Sequence, residues 1–240
     1  MKVIEVNDYT EMSQKAAEYT IKKVRQNPSI TLGLATGGTP IGTYRNLILD
    51  HQKNGTTYKN VSTFNLDEYI GLSGDNKYSY RYFMNEQLFN HIDINKNNTH
   101  VPLGDIENTE SECSRYDELI RKHGGIDLQI IGIGSNGHIG FNEPGTSFNS
   151  TTHIVQLADS TINANARFFN RVDDVPKSAI TMGISTLLKC REILLFVSGE
   201  SKKEAMFKLL NGEVTESFPA SVLKNHPNVT IIADKTAIGG

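Results

Sequence analysis

The chain has 240 residues, 38% hydrophobic and 21% charged, with a formal net charge of −3. That length fits one α/β domain with a single large core better than two independent domains. The charge balance offers no basic field for nucleic acid, yet leaves room for local groups that bind an anionic small molecule. Two distant cysteines, Cys113 and Cys190, form neither a disulfide framework nor a zinc motif and read as free thiols of a reducing compartment.

The N-terminal Met1–Tyr9 stretch alternates like a strand and lacks the apolar core of a signal peptide, and no apolar run approaches a membrane span. A cytoplasmic protein with no membrane partner is expected. Val3–Val6 reads as a first strand. Ala16, Ala17, Thr20, Ile21 and Val24 recur at helical spacing within 10–26, and Pro28 stops that helix. A short apolar run over 30–35 predicts a strand. Pro40 then stands at the start of a helix whose apolar face is Ile41, Tyr44, Leu47 and Ile48. Strand-like runs follow at 61–66, 127–133, Ile193–Val197 and 229–233. Helical patterns fall at 78–91, 160–170, 183–189 and 201–210. Thr109 and Glu112 have capping-box spacing and predict a helix ending near Gly124-Gly125. Strands alternate with helices almost throughout, which predicts a mostly parallel sheet covered on both faces. The polar stretch 148–177 reads either as a cover over a site or as a solvated insertion.

Ligands of open parallel sheets sit beyond the carboxyl ends of the strands, and three such ends carry chemistry. Thr36-Gly37-Gly38-Thr39, before Pro40, is a phosphate cradle in outline: glycines expose backbone N–H groups, threonines add hydroxyls, and a helix N-terminus follows. It also reads as a plain strand-to-helix turn, and it lacks the spacing of a Walker or dinucleotide motif. Asp67, at the next strand tip, is either a proton-abstracting base or an ordinary turn residue. The densest segment is Gly132 to Pro144, where glycines bring Asn136, His138, Asn142 and Glu143 into one loop. A histidine there exchanges protons near neutral pH, and a carboxylate partner orients and tunes it. Arg167 and Lys202 are further candidates for gripping an anion, or simple surface charges.

Taken together, five ordered stretches resemble the glucosamine-6-phosphate deaminase family: Leu34 to Pro40, Phe64 to Tyr69, Gly137 to Pro144, Ala166-Arg167-Phe168-Phe169, and Val175-Pro176-Lys177. The resemblance runs from the first strand to about residue 234. It implies one Rossmann-like α/β domain over 1–240, with a possible lid at 148–177. It also implies conversion of glucosamine 6-phosphate and water to fructose 6-phosphate and ammonia, without metal or organic cofactor. Residue by residue, Asp67 matches the family's enolisation base, His138 its ring-opening proton carrier and Glu143 the carboxylate partner. Thr36, Gly37, Gly38, Thr39, Arg167 and Lys202 match the phosphate grip.

Two departures stand out. Many members carry aspartate where this chain has Asn136, an amide that takes no proton and acts only by orienting. The allosteric hexamers use basic residues shortly after the Asn-Glu-Pro stretch and a longer C-terminal tail. Here those positions are His153 and Val155 and the sequence stops at Gly240, so a monomer or small oligomer with weak or no effector activation is expected. The related 6-phosphogluconolactonases resemble Asp-Glu-Arg at the second motif and Phe-Pro-Gly after the Gly-His loop; Tyr69 and Asn142-Glu143-Pro144 depart from both. A non-catalytic sugar-phosphate sensor is a second alternative, which the retention of Asp67, His138 and Glu143 disfavours.

Overall fold

The computed structural model describes residues 1–166 and 169–239. Seven parallel strands form the central sheet: β1 (Lys2–Val6), β2 (Thr31–Leu34), β3 (Ser62–Asn65), β5 (Thr99–His100), β6 (Leu128–Ile131), β9 (Ile193–Val197) and β10 (Val229–Asp234), in spatial order β1-β10-β9-β6-β2-β3-β5. A small antiparallel sheet of β4 (Asp67–Tyr69), β8 (Ser178–Thr181) and β7 (His153–Gln156) lies apart from it.

The central strands are apolar on both faces because both faces are covered. In β9, Ile193, Leu195 and Val197 join Ile131, Ile133, Ile231 and Ala233 in one buried cluster. Leu194 and Phe196 point the other way, into a cluster with Leu32, Leu34, Leu128, Ile130 and Ile232. Helices α1 (Tyr9–Gln26), α2 (Ile41–Asn54) and α3 (Tyr80–Gln87) close the second face with Met12, Ala16, Tyr44, Leu47 and Met84. Helices α4 (Thr109–Lys122), α6 (Ile184–Leu188), α7 (Lys203–Asn211) and α8 (Lys235–Ile238) close the first with Tyr116, Ile120, Leu187, Met206, Leu209 and Ala237. Each fully buried Leu, Ile or Phe contributes roughly 1.5–3 kcal/mol of transfer free energy, so this two-sided sandwich is the main source of stability. The architecture is the expected single Rossmann-like domain.

Local chemistry sets the helix ends. Asp8 caps α1 by accepting from Glu11 N, and Ser79 caps α3 by accepting from Tyr82 N. The capping box expected at Thr109 is displaced by one residue: Asn108 is the N-cap and accepts from Ser111 N at 2.9 Å. Glu112 turns away, accepting from Leu103 N at 2.9 Å and pairing with Arg115. The helix expected over 78–91 is α3 followed by a 3-10 turn at Phe89–His91. That expected over 160–170 is α5 (Asp159–Asn165). Within the stretch read as polar, β7 pairs with β8 and gives the segment a strand anchor.

The strand order fixes where a ligand fits. From β2 the chain builds outward through β3 and β5, then returns to the other side of β2 with β6 and goes on to β9 and β10. The connections from β2 and β6 therefore leave in opposite directions and open a crevice at their carboxyl ends, the topological switch point of such sheets. Among the described residues no helix is long and apolar enough to cross a membrane.

One close approach ties the small sheet to α6. A Cβ on Gly183 would lie 2.1 Å from Thr151 O and 2.3 Å from Ser150 O, both backbone. Gly183→Ala forces the chain apart there, at a cost of about 1–3 kcal/mol. We expect a fall in melting temperature of about 2–10 °C, read by calorimetry; an unchanged transition would contradict this packing.

Candidate active site

A cavity of about 310 Å³ occupies that crevice, bordered by the loops after β2, β3, β6 and β9 and by α5. The loop after β2 supplies Thr36, Gly37, Gly38 and Thr39 to the wall. Two tyrosines hold it. Buried Tyr44 donates from α2 to Ala35 O at 2.5 Å. Tyr9 of α1 donates to Gly38 O at 3.3 Å and accepts from Gly42 N at 2.9 Å. No side chain caps α2, whose cap position is Pro40, so its positive end is available to an anion in the cavity. Lys202, ending a 3-10 turn (Glu200–Lys202) past β9, also lines the cavity. Arg167 lies outside the described residues.

Asp67 opens β4, paired with Thr181 of β8, and is only 6% exposed while still lining the cavity. Burial, with the neighbouring Glu68 adding repulsion, pushes its carboxyl up to about 8. Glu68 has a different task. It accepts from Tyr69 N, Tyr80 N and Arg81 N at 2.8–2.9 Å, and so ties β4 to the first turn of α3. Burial raises Glu68 to about 7 in spite of these donors.

The loop after β6 brings the remaining groups together. A Cβ on Gly134 would lie 2.2 Å from the His138 ring, so glycine is what lets the imidazole lie against the backbone. Gly140 has φ +59, and a Cβ there would sit 3.5 Å from Asp67 Oδ2. The histidine loop and Asp67 are thus immediate neighbours. Asn142 braces the loop by donating to Ile139 O and Met182 O, both at 2.9 Å.

The hydrogen bonds fix a tautomer. Asn136 Nδ2 donates to Glu143 Oε2 at 2.8 Å, and since a carboxylate only accepts, the amide orientation is set. Asn136 Oδ1 therefore faces His138 Nδ1 at 2.8 Å and also accepts from the His138 backbone N–H at 3.1 Å. An amide oxygen accepts only, so Nδ1 carries the hydrogen and Nε2 of the neutral ring keeps a lone pair. The carboxylate expected to orient the ring directly is one step removed: Glu143 Oε2 is 3.7 Å from Nδ1, and Asn136 bridges them. Burial lowers the imidazole from its usual range, with Glu143 opposing this and Lys202 assisting it, which favours the neutral ring.

The structure thus gathers Thr36, Gly37, Gly38, Thr39, Asp67, Asn136, His138 and Lys202 around one cavity, with Glu143 linked through Asn136. It adds Tyr80, Thr161 and Asn165, which carry no local motif. Asn165 Nδ2 donates to Tyr69 Oη at 2.9 Å, and the Thr161 hydroxyl donates to Glu143 Oε1. Among the described residues no group of three or more His, Cys, Asp or Glu side chains is arranged to hold a metal ion.

Asp67 costs the fold stability when ionised. Its carboxyl is raised in the folded state, so the folded protein holds a proton that the unfolded chain releases above about pH 4. Stability from this group is full below that pH and is lost as pH rises through about 8. The melting temperature of Asp67→Asn should therefore gain on that of the parent between about pH 5 and pH 8.5. A difference, variant minus parent, that stays constant or falls over that range would show the carboxylate to be well solvated.

Comparison with known proteins gives a consistent answer. The family model for glucosamine-6-phosphate isomerases and 6-phosphogluconolactonases matches residues 7–232. A glucosamine-6-phosphate deaminase of Geobacillus sp. (strain WCH70) is 58% identical over 99% of this chain and 95% of its own length. One from Shouchella clausii is 56% identical over 99% and 96%. The solved structure of a monomeric glucosamine-6-phosphate deaminase superposes with a TM-score of 0.98 at 51% identity, covering 100% of this chain and 99% of that one. A 6-phosphogluconolactonase from Trypanosoma cruzi, 17% identical, shares the fold with a TM-score of 0.78 over 100% and 96% of the two chains. With the family model spanning residues 7–232 and a relative 58% identical over 99% of it, the chain belongs to the glucosamine-6-phosphate isomerase/6-phosphogluconolactonase family.

Proposed function

We propose that the chain converts glucosamine 6-phosphate and water to fructose 6-phosphate and ammonia, an aldose–ketose isomerisation joined to hydrolytic loss of nitrogen in amino-sugar breakdown. One observation carries this reading: a buried carboxylate and a tautomer-fixed histidine border the same cavity as a glycine–threonine loop and a lysine. Relatives described as deaminases at 50–58% identity over essentially the whole chain support it.

The chemistry requires both halves of the site. A closed pyranose has no carbonyl and cannot enolise. His138 Nε2 takes the proton of the anomeric hydroxyl and returns it to the ring oxygen, while Asn136 and Glu143 hold the imidazole and balance its transient charge. Asp67 then removes the C2 proton of the open chain while the aldehyde oxygen takes a proton from the C2 ammonium, and the resulting enolamine receives the Asp67 proton at C1. The nitrogen at C2 is now an imine, which adds water and expels ammonia, leaving the ketose. Burial makes Asp67 a stronger base than a solvated carboxylate, and the substrate's C2 ammonium draws it to its ionised form on binding. Thr36, Gly37, Gly38, Thr39, Arg167 and Lys202 hold the phosphate, and that remote grip keeps C2 in register with Asp67. No step changes oxidation state overall, so the reading calls for no cofactor.

The segment 148–177, through Thr161 and Asn165 of α5, serves as a cover over this cavity. The protein acts in the cytoplasm on a small-molecule substrate, as a monomer or small homo-oligomer, and needs neither nucleic acid nor membrane. In place of basic side chains, His153 Nδ1 is engaged with Thr151 O at 2.8 Å and Val155 packs in an apolar cluster.

The test is a coupled assay for ammonia and fructose 6-phosphate. Wild-type protein should release the two in equal amounts, and Asp67→Asn should bind substrate but lose about 10²–10⁴-fold in turnover. Near-normal turnover by that variant would remove Asp67 from its role. Adding N-acetylglucosamine 6-phosphate should leave the saturation curve hyperbolic and its midpoint nearly unchanged; strong sigmoidal activation would contradict the proposed assembly.

A further inference from the structure

The relay beside His138 does not end within its own loop. Glu143 presents two carboxylate oxygens and each has a dedicated donor: Oε2 takes the Asn136 amide, and Oε1 takes the hydroxyl of Thr161. The second donor comes from α5, eighteen positions further along the chain. The Glu143 side chain is 14% exposed, so a carboxylate oxygen deprived of its donor there has little water to replace it.

Helix α5 touches both halves of the chemistry. Thr161 reaches the ring-opening relay, and Asn165, one turn on, reaches Tyr69 two residues from Asp67. Thr161 is 5% of full exposure at most and lines the cavity together with Asn165. The helix has seven residues and no side-chain cap. A helix so short has no stability of its own and holds its place only through tertiary contacts. Among the described residues those contacts include Ile162 in the cluster of Tyr69, Phe141, Leu157 and Ala179, together with the two polar bonds just named.

We propose that Thr161 is a positioning residue for ring opening: its hydroxyl fixes the Glu143 carboxylate and so links the seating of α5 across the cavity to a correctly aligned His138. With α5 away, Glu143 keeps one anchor and is free to turn about its own bonds, and the Asn136 amide and the His138 ring lose their common reference. With α5 seated, the chain Thr161–Glu143–Asn136–His138 is complete. The proton-transfer pair is thereby assembled when the cavity is covered. This inference rests on the reading in which His138 and Glu143 open the sugar ring.

Thr161→Val removes the donor and keeps the branched shape, while Thr161→Ser keeps the donor. In steady-state assays with glucosamine 6-phosphate, the valine variant should lose about 10–10²-fold in kcat, as expected for misalignment of a catalytic group, with KM changed less than about three-fold. The serine variant should stay within about three-fold of the parent. The acyclic alditol phosphate made by reducing the substrate's aldehyde needs no ring opening, so calorimetry should find its affinity the same for all three proteins. Wild-type kcat in the valine variant would overturn the inference. So would equal losses in the valine and serine variants, or a loss of alditol binding that parallels the loss of kcat, since either marks a purely structural threonine. Glu143→Gln assayed alongside separates the two levels. Near-normal turnover in that variant rejects the relay itself and this inference with it. An impaired Glu143→Gln beside an unimpaired Thr161→Val rejects only the role of Thr161.

Discussion

Asp67 is a carboxylate withdrawn from water, and among the described residues no group donates a hydrogen bond to it. Everything else in the site is arranged around that constraint. A buried unpaired carboxylate costs stability, and the fold tolerates it because two extensive apolar clusters on either face of the sheet supply the difference. The same burial makes the group basic enough to remove a proton from carbon. Its neighbour Glu68, equally hidden, is satisfied by three backbone donors and serves as a strut between β4 and α3. Two adjacent acidic residues thus have opposite uses, set by whether donors surround them.

The second organising feature is the way Asn136 converts a flexible side-chain cluster into a directed one. A carboxylate on one side and an imidazole on the other leave the amide one orientation and the imidazole one tautomer. An aspartate at this position would add a charge and a second proton site. The amide transmits geometry without competing for the proton. Gly134 makes this possible by letting the ring lie against the chain, and Gly140 by taking the positive φ with which the loop turns beside Asp67.

Much of this was legible in the sequence, for identifiable reasons. β9 is an uninterrupted apolar run and β10 is broken only by Thr230 before its terminal Asp234, a pattern that strands buried on both faces show. The residues of the β2, β3 and β6 loops were legible as chemistry because glycine, threonine, histidine and carboxylate crowd at strand ends. The small sheet was not, since Asp67–Tyr69, His153–Gln156 and Ser178–Thr181 are short, partly polar segments whose strand character exists only through mutual pairing. The cap of α4 falls one residue earlier than the Thr109–Glu112 spacing predicts because Asn108, itself a favourable N-cap residue, accepts from Ser111 N, while Glu112 finds partners in Arg115 and Leu103 N. Tyr80, Thr161 and Asn165 left no local trace: a tyrosine, a threonine and an asparagine in polar helices become site residues only when the fold carries them to the cavity.

The central claim is spatial: one open-chain sugar meets Asp67 at C2 and the His138 relay at its oxygens while its phosphate rests on the β2 loop and Lys202. A crystal structure with the acyclic alditol phosphate tests it directly. The account predicts the phosphate against Thr36–Thr39 and Lys202, and C2 at about 3–3.5 Å from an Asp67 oxygen, the separation of a reacting pair. A complex with the phosphate elsewhere, or with C2 turned away from Asp67, would contradict it.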